Sequence, residues 1–561
     1  MLDPQLQRRF LEQLRALEQF RITYVGEQPG VPLDRADQDV QRLLEAQAFF
    51  SARTSVAAER GLSRGMRRLF AQHFPYLLSP IPGASMVQAR VDGSFVDAVH
   101  LGAGEELGVV EPSALDLEDP PPPLILRTLA ALEVRPLALS SVRFEASRQR
   151  VGARLELSFE ASHGYGQPTS VGPVALHVDH LGELKASAAV FLALKTSLLR
   201  ASVRWDGRGE EFACSVRFGP LPAGTPPRGG ALDHPLERAR AFFALPQMDL
   251  FMTLDVPPAP RPWTRFTVGL ELSQAWPRGL SLEGASVHLH VVPTVNLRRE
   301  LAAPLTFDGT RSEYALRHPD PLGGFVLHDV RGAYRLDDAE GLVPITPGFV
   351  PEGGISGSDL RWETEVEGYG HERKGRLRMR APEALAEPFR VSVDACWHQP
   401  HRSAELGEGS EAELLHRSPH GLSFEVRGKI RPAMDSPLVR DDDALLALLG
   451  VRSRRMPELA DLRVLMDGLR TPGDRVFGPL IEGLSRAEVH SVPSARATSG
   501  FRYRYVLRFD RVGPDEVPLV ALFGRRLREV LEAWSTEEVV EVFLELPHLD
   551  LSFEYREKDG P

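Results

Sequence analysis

The spacing of apolar residues changes its period at Ser79-Pro80-Ile81-Pro82-Gly83, and that change limits what the chain can fold into. Two prolines remove backbone donors and a glycine follows, so neither a helix nor a central strand runs through these five positions. Upstream, Leu6, Phe10, Leu11, Leu14, Leu17 and Phe20 recur at steps of three and four, the period of a helix with one apolar side. Arg8, Arg9, Glu12 and Gln13 fill much of the rest. A Gly/Pro loop at 29–32 follows, and Asp34 or Asp37 is placed to cap a second helix lined by Val40, Leu44 and Ala48 with Leu43 beside them. A third helix is expected at about 63–74.

Downstream the period becomes two. Leu155, Leu157 and Phe159 alternate with polar residues, as do Phe266, Val268, Leu270 and Leu272, and then Val391 and Val393. One helical insertion stands out at about 184–199, and the acidic, proline-rich stretch 116–123 reads as a stiff exposed linker. Toward the end, 442–449 and 457–469 read as helices, and Phe501, Tyr503, Tyr505, Leu507 and Phe509 as a strand. Leu519, Leu522, Phe523, Leu527, Val530, Leu531 and Trp534 then form an amphipathic helix, and Leu549, Leu551, Phe553 and Tyr555 a last strand. The expectation is a multidomain α+β scaffold. Its parts are a helical N-terminal region at 1–82, a β-rich middle of two subdomains at 83–430, and an α+β C-terminal domain at 431–561.

A chain of 561 residues exceeds what a single hydrophobic core usually serves, and its 42% hydrophobic and 25% charged residues are ordinary for a folded protein. The net charge of -11 argues against a chain that neutralises nucleic-acid phosphates. Five of the 66 basic residues are lysines, and the arginines are spread along the chain. Cys214 and Cys396 stand far apart without CxxC spacing, which suggests a reducing compartment and no cysteine zinc site. The charged start lacks the apolar run of a signal peptide, and no stretch approaches about 18 uncharged apolar residues. A cytoplasmic location is expected.

Candidate chemistry is sparse. Gly61-Leu62-Ser63-Arg64-Gly65 fits the GxSxG pattern of a serine-hydrolase nucleophile elbow, which works only where a strand turns into a helix. The residues before it read as helix, so the expected role of Ser63 is to cap the next helix at an interhelix turn. Three histidine pairs, His177 with His180, His288 with His290, and His398 with His401, raise a metal reading. On a strand His288 and His290 share a face, but no pair has a well-spaced third ligand beyond Asp179. Glu105-Glu106, Asp441-Asp442-Asp443 and Glu537-Glu538 read as solvated charge runs, and no phosphate-cradling or dinucleotide fingerprint appears in a strand-to-helix setting. No enzyme activity, cofactor or metal is expected.

The segment ADQDVQRLLEAQAFFSAR at 36–53, with Asp37, Val40, Arg42, Leu43, Leu44, Glu45, Ala48, Phe49, Ala52 and Arg53, resembles a pattern of the type VI secretion TssF (ImpG/VasA) family, ADPxVERLLExxAFLxAR. FPYLLSPIP at 74–82, with Pro75, Pro80 and Pro82, is similar to that family's YPHYLAPIP, and Ser85-Met86-Val87-Gln88 to the start of its first strand. Arg127-Thr128 and Val134-Arg135-Pro136-Leu137 follow in the family order. So do Pro293, Asn296, Leu297, Pro304, Asp308, Glu313, Tyr314 and Asp320, and finally Leu522-Phe523-Gly524 with Leu527. The sequence departs from the pattern at Gln38, where the family has proline. It departs again at 397–401, which replace a TNRDLP loop, and after the last helix, where an NSF is missing.

The resemblance implies a structural wedge subunit of a contractile injection baseplate. Such a subunit pairs with a second copy of itself and assembles with TssG, TssE and TssK around the VgrG spike. It reaches the inner-membrane complex through these partners. On this reading Leu6, Phe10, Leu14 and Leu17 are candidate contacts in a helical bundle with TssG. Two rivals stand beside it: a wedge protein of a phage tail or extracellular contractile particle, and a serine hydrolase using Ser63.

Overall fold

A computed structural model describes residues 3–27, 38–111, 121–146, 152–162, 171–206, 210–222, 232, 234–277, 279–280, 282, 284–337, 341–348, 360–368, 370–381, 385, 387–452, 454, 456–494, 500–535 and 539–556. The loop at 29–32, Asp34, Asp37 and most of the 116–123 linker lie outside them. The chain is mixed α+β and divides into two compact units, one of residues 1–75 with 438–449, the other of 76–437 with 450–561.

In the first unit, helix α1 (Pro4–Glu27) pairs with helix α2 (Gln38–His73). The two run antiparallel, because Arg9 near the start of α1 reaches Glu59 well along α2 and Arg60 reaches Asp3. Leu6, Phe10, Leu14 and Leu17 are half-buried, and the Phe10 ring meets Phe49 edge-on at 6.5 Å. The apolar stripe is narrower than its spacing predicts, since Leu11 and Phe20 of the same series are exposed. The expected third helix does not exist as a separate element. α2 continues unbroken to His73, because nothing in 59–66 is a proline and glycine alone only weakens a helix.

The second unit is built on sheets. Ala84–Val91, Val291–Val295, Leu124–Thr128, Glu106–Val110, Glu411–Leu414 and Leu422–Arg431 close a six-stranded antiparallel barrel, with Ala84 opposite both Val295 and Arg431. An eight-stranded sheet runs from Val287–Leu289 to Leu137–Ala146 and contains the predicted strands at 155–159 and 266–272 as direct neighbours. Phe159 stacks on Phe266 there, next to Trp205 and Trp263. Two further sheets, centred on Phe389–His398 and Lys374–Arg380, enclose a core of Phe307, Leu327, Leu377, Met379, Val393 and Trp397. The helix Leu184–Ser197 is the predicted insertion.

The last sheet orders Leu484–Pro493, Phe501–Phe509, Val539–Leu546 and Leu551–Tyr555, with the two central strands parallel. Parallel neighbours need a crossover, and the helix Val517–Ser535 supplies it. Its apolar face packs on the sheet, while Leu549, expected in the final strand, falls in a 3₁₀ turn (Pro547–Leu549) before it. Gly524 lets the helix come close: a Cβ there would sit 2.4 Å from Leu544 Cδ1 and 2.5 Å from Tyr555 Cε2. Gly524→Val should therefore lower stability by about 1 to 3 kcal/mol through overpacking. Denaturant unfolding checks this, and an unchanged midpoint would show that the contact is not as close as described.

Candidate functional site

Ser63 lies inside α2, not at a strand-to-helix turn and not at an interhelix cap. Its Oγ donates to Asp442 Oδ1 at 3.0 Å, and Arg67 Nε lies 3.6 Å from the same oxygen. A nucleophile needs a base that accepts its proton at an exposed turn, and a serine held to a carboxylate along a helix flank is a tether. Asp442 is thus engaged, not merely solvated. Glu105 likewise pairs with Arg417 at 2.9 Å.

The histidine pairs separate. His290 has φ 57 and stands between two strands, Val287–Leu289 and Val291–Val295, so it does not share a strand face with His288 as expected. It accepts from the Arg135 backbone N–H at 3.2 Å, while His288 Nε2 meets Arg427 Nη2. His180 is held through its backbone by Ser187, His398 is buried and His401 is exposed. Among the described residues no group of three or more His, Cys, Asp or Glu side chains is placed to hold a metal ion.

What the motif residues do instead is anchor the chain. In the FPYLLSPIP segment, Pro80 and Pro82 are buried and Pro75 is exposed. Arg240, from the helix Pro235–Ala244, donates Nη1 to Tyr76 O and Nη2 to Ser79 O, the second at 2.9 Å. Ser436 Oγ donates to Leu77 O at 2.6 Å, and His328 Nε2 lies 3.1 Å from Pro80 O. Ile81 exchanges both backbone hydrogen bonds with Met434. A second knot forms where Asn296 Nδ2 donates to Ile125 O at 2.8 Å and the Gln399 backbone N–H donates to Asn296 Oδ1. Gln399 Nε2 then donates to Pro123 O and Gly323 O. Leu297 is buried beside it. Glu313 pairs with Arg376 and Arg378, Tyr314 Oη donates to Asp308 Oδ1 at 3.2 Å, and Phe523 packs with Phe243 and Phe477.

On α2 the motif is mostly outside. Leu43 is 69% exposed, Arg42 lies 3.7 Å from Asp39, Glu45 accepts from Gln41, and Arg53 is exposed. Leu44 and Phe49 are half-buried. The motif therefore divides. Pro80, Pro82, Asn296, Leu297, Phe523 and Gly524 are buried within the chain, while Arg42, Leu43, Glu45 and Arg53 on α2 are exposed. Sequence reading missed the pinning residues Arg240, His328 and Gln399. Gln399 lies in 397–401, where the sequence departs from the family pattern. That departure was the one available signal.

Burial pushes His398 down to about 3 and His177 and His290 to about 4, from an ordinary 6.5, and holds His328 well below 6.5. Neither ring nitrogen of His398 has a hydrogen-bond partner among the described residues. The folded state keeps these rings neutral while the unfolded chain protonates near 6.5. Stability is thus full above that pH and is lost progressively as pH falls toward 3. The unfolding free energy should drop by about 1 kcal/mol per buried histidine between pH 7.5 and 5.5. His398→Phe should flatten that slope, and equal stability at both pH values would overturn the assignment of neutral rings.

No curated protein matches the chain. Among solved structures, a chain of the TssK-TssF-TssG baseplate subcomplex of the type VI secretion system superposes with a TM-score of 0.70 at 18% identity, covering 93% of this chain and 99% of that one. A chain of the baseplate complex from the type VI secretion system gives 0.59 at 17% identity, covering 99% of each. At these identities the likeness establishes the shared fold. A family profile described as "Type VI secretion system, TssF" matches residues 31–323, more than half of the sequence. The chain belongs to the TssF family of the type VI secretion system.

Proposed function

We propose that this chain is a non-enzymatic wedge subunit of a type VI secretion baseplate. It assembles with TssG and TssK, with TssE and VgrG as further neighbours, and pairs with a second copy of itself. The family match and the fold shared with baseplate chains support the role. Within it, region 1–82 is the partner-binding part. Among the described residues no helix is long and apolar enough to cross a membrane. Recruitment from the cytoplasm to the inner-membrane complex through partners belongs to the same proposal.

The observation that carries the reading is the outer surface of the helical hairpin. Phe20, Ile22, Leu43, Phe50 and Leu62 are each more than 60% exposed on α1 and α2. Single exposed apolar residues need no explanation, but five on one hairpin, beside polar flanks, fit helices that complete their packing on a partner. Leu6, Phe10, Leu14 and Leu17 are half-buried, Phe10 against Phe49 of α2, and Leu43 and Phe50, seven residues apart, present one face of α2 outward.

Leu43→Asp with Phe50→Asp should leave the chain folded, because both side chains are largely in water already. Each contact buried with a partner is worth roughly 1.5 to 3 kcal/mol, so TssG should no longer copurify with this double variant. A folded variant that retains TssG in normal yield would end the bundle reading. Ser63→Ala should keep secretion and target killing, since the serine serves as a tether worth about 1 kcal/mol. Loss of secretion by a Ser63→Ala chain with an unchanged melting transition would count for the hydrolase.

A further inference from the structure

We propose that Gly61 and Gly65 form a bending point in α2, about which the α1-bearing half of the helix swings on the half held by Asp442. α2 is one continuous helix of 36 residues, and both glycines lie in its interior. Glycine there weakens a helix relative to alanine, and paired small residues are a recognised cause of helix bending. A packing requirement would account for them, but a Cβ built on either glycine meets nothing within 4 Å. Nothing touching these positions demands the smallest residue.

Their place along the helix supplies the second observation. Glu59 and Arg60 make the ties to the start of α1, through Arg9 and Gln5 to Glu59 and through Asp3 to Arg60. Ser63 and Arg67 make the ties to Asp442. Gly61 lies in the seam between these two sets of ties, and Gly65 follows one turn on, between Ser63 and Arg67. They stand four residues apart, so they share one exposed helix face; a bend centred on Gly61 opens or closes that face without breaking either set, and Gly65 lets the turn between Ser63 and Arg67 follow it. The Gly-x-Ser-x-Gly spacing is thus accounted for by mechanics: glycines that yield and a serine that fixes the lower half. The inference concerns the isolated chain and stands whether or not TssG is the partner.

Hydrogen exchange on the full-length chain tests it. Amides of 61–69 should exchange faster than those of 49–56, and Gly61→Ala with Gly65→Ala should slow exchange at the seam about fivefold per glycine, roughly 25-fold together, with protection elsewhere unchanged. Spin labels placed by Gln47→Cys and Leu446→Cys give an independent readout, because both positions are exposed and the native Cys214 and Cys396 are buried. The distance distribution should be broad in the parent chain and narrow in the double-alanine background. Seam amides as protected as their flanks, or one narrow distance in both chains, would overturn the proposal.

Discussion

Beyond the helical turn Pro75–Leu78 the backbone leaves helical geometry, and carbonyl oxygens of 76–81 find no regular ladder, since Pro80 and Pro82 interrupt any helix or sheet there. Buried oxygens of this kind cost free energy unless something donates to them. Three stretches far apart in sequence converge to do so: Arg240 from a helix, His328 from a strand irregularity, and Met434 with Ser436 from beyond the barrel. Arg240 is itself fully buried, and burial pulls its guanidinium down to about 10, so it remains charged at neutral pH. Its hydrogen bonds to the two carbonyls are charge-assisted, and each also compensates the buried cation. The first barrel strand begins three residues after this segment, so its start is fixed by the same contacts.

A second buried cation plays the matching part near the end of the chain. Arg526 donates Nε to Asp249 Oδ2 at 2.7 Å and Nη1 to Glu529 Oε2 at 2.6 Å, and its guanidinium lies 5.4 Å from the Phe242 ring centre. Removing one partner of such a pair strands the other charge in the core, so the pair holds the helix Val517–Ser535 against the 3₁₀ turn Pro246–Asp249 that follows the helix Pro235–Ala244. The aromatic cluster of Phe242, Phe243, Phe477 and Phe523 then closes around it.

Much of this was legible in local pattern. The half-buried residues of α1, the strands at 155–159 and 266–272, the inserted helix and the last amphipathic helix follow from periodicity, because each side of these elements meets one kind of environment. Two readings went differently for physical reasons. Ser63 looked like a cap because serine commonly precedes an apolar-periodic helix, yet α2 runs unbroken through it. His288 and His290 looked like a strand pair, but a left-handed residue separates two short strands there. Leu11 and Phe20 belong to the same apolar series as Leu6 and Phe10, yet they stay in water and widen the exposed side of α1. The pinning roles of Arg240, His328 and Gln399 could not be read from spacing: they act through partners 76 to 276 residues away, and only the departure from the family pattern at 397–401 marked Gln399.

The closure of the barrel has a consequence for the order in which a growing chain acquires its shape. The strand Ala84–Val91 is flanked by Val291–Val295 on one side and Leu422–Arg431 on the other, so it has neither neighbour until most of the polypeptide has left the ribosome. α1 and α2 need only each other to pair, and both are complete by residue 73. Loop closure over a short span is fast and over a long one slow. The hairpin therefore forms while the barrel is still open, and its outward leucine and phenylalanine side chains are on offer throughout the remainder of translation.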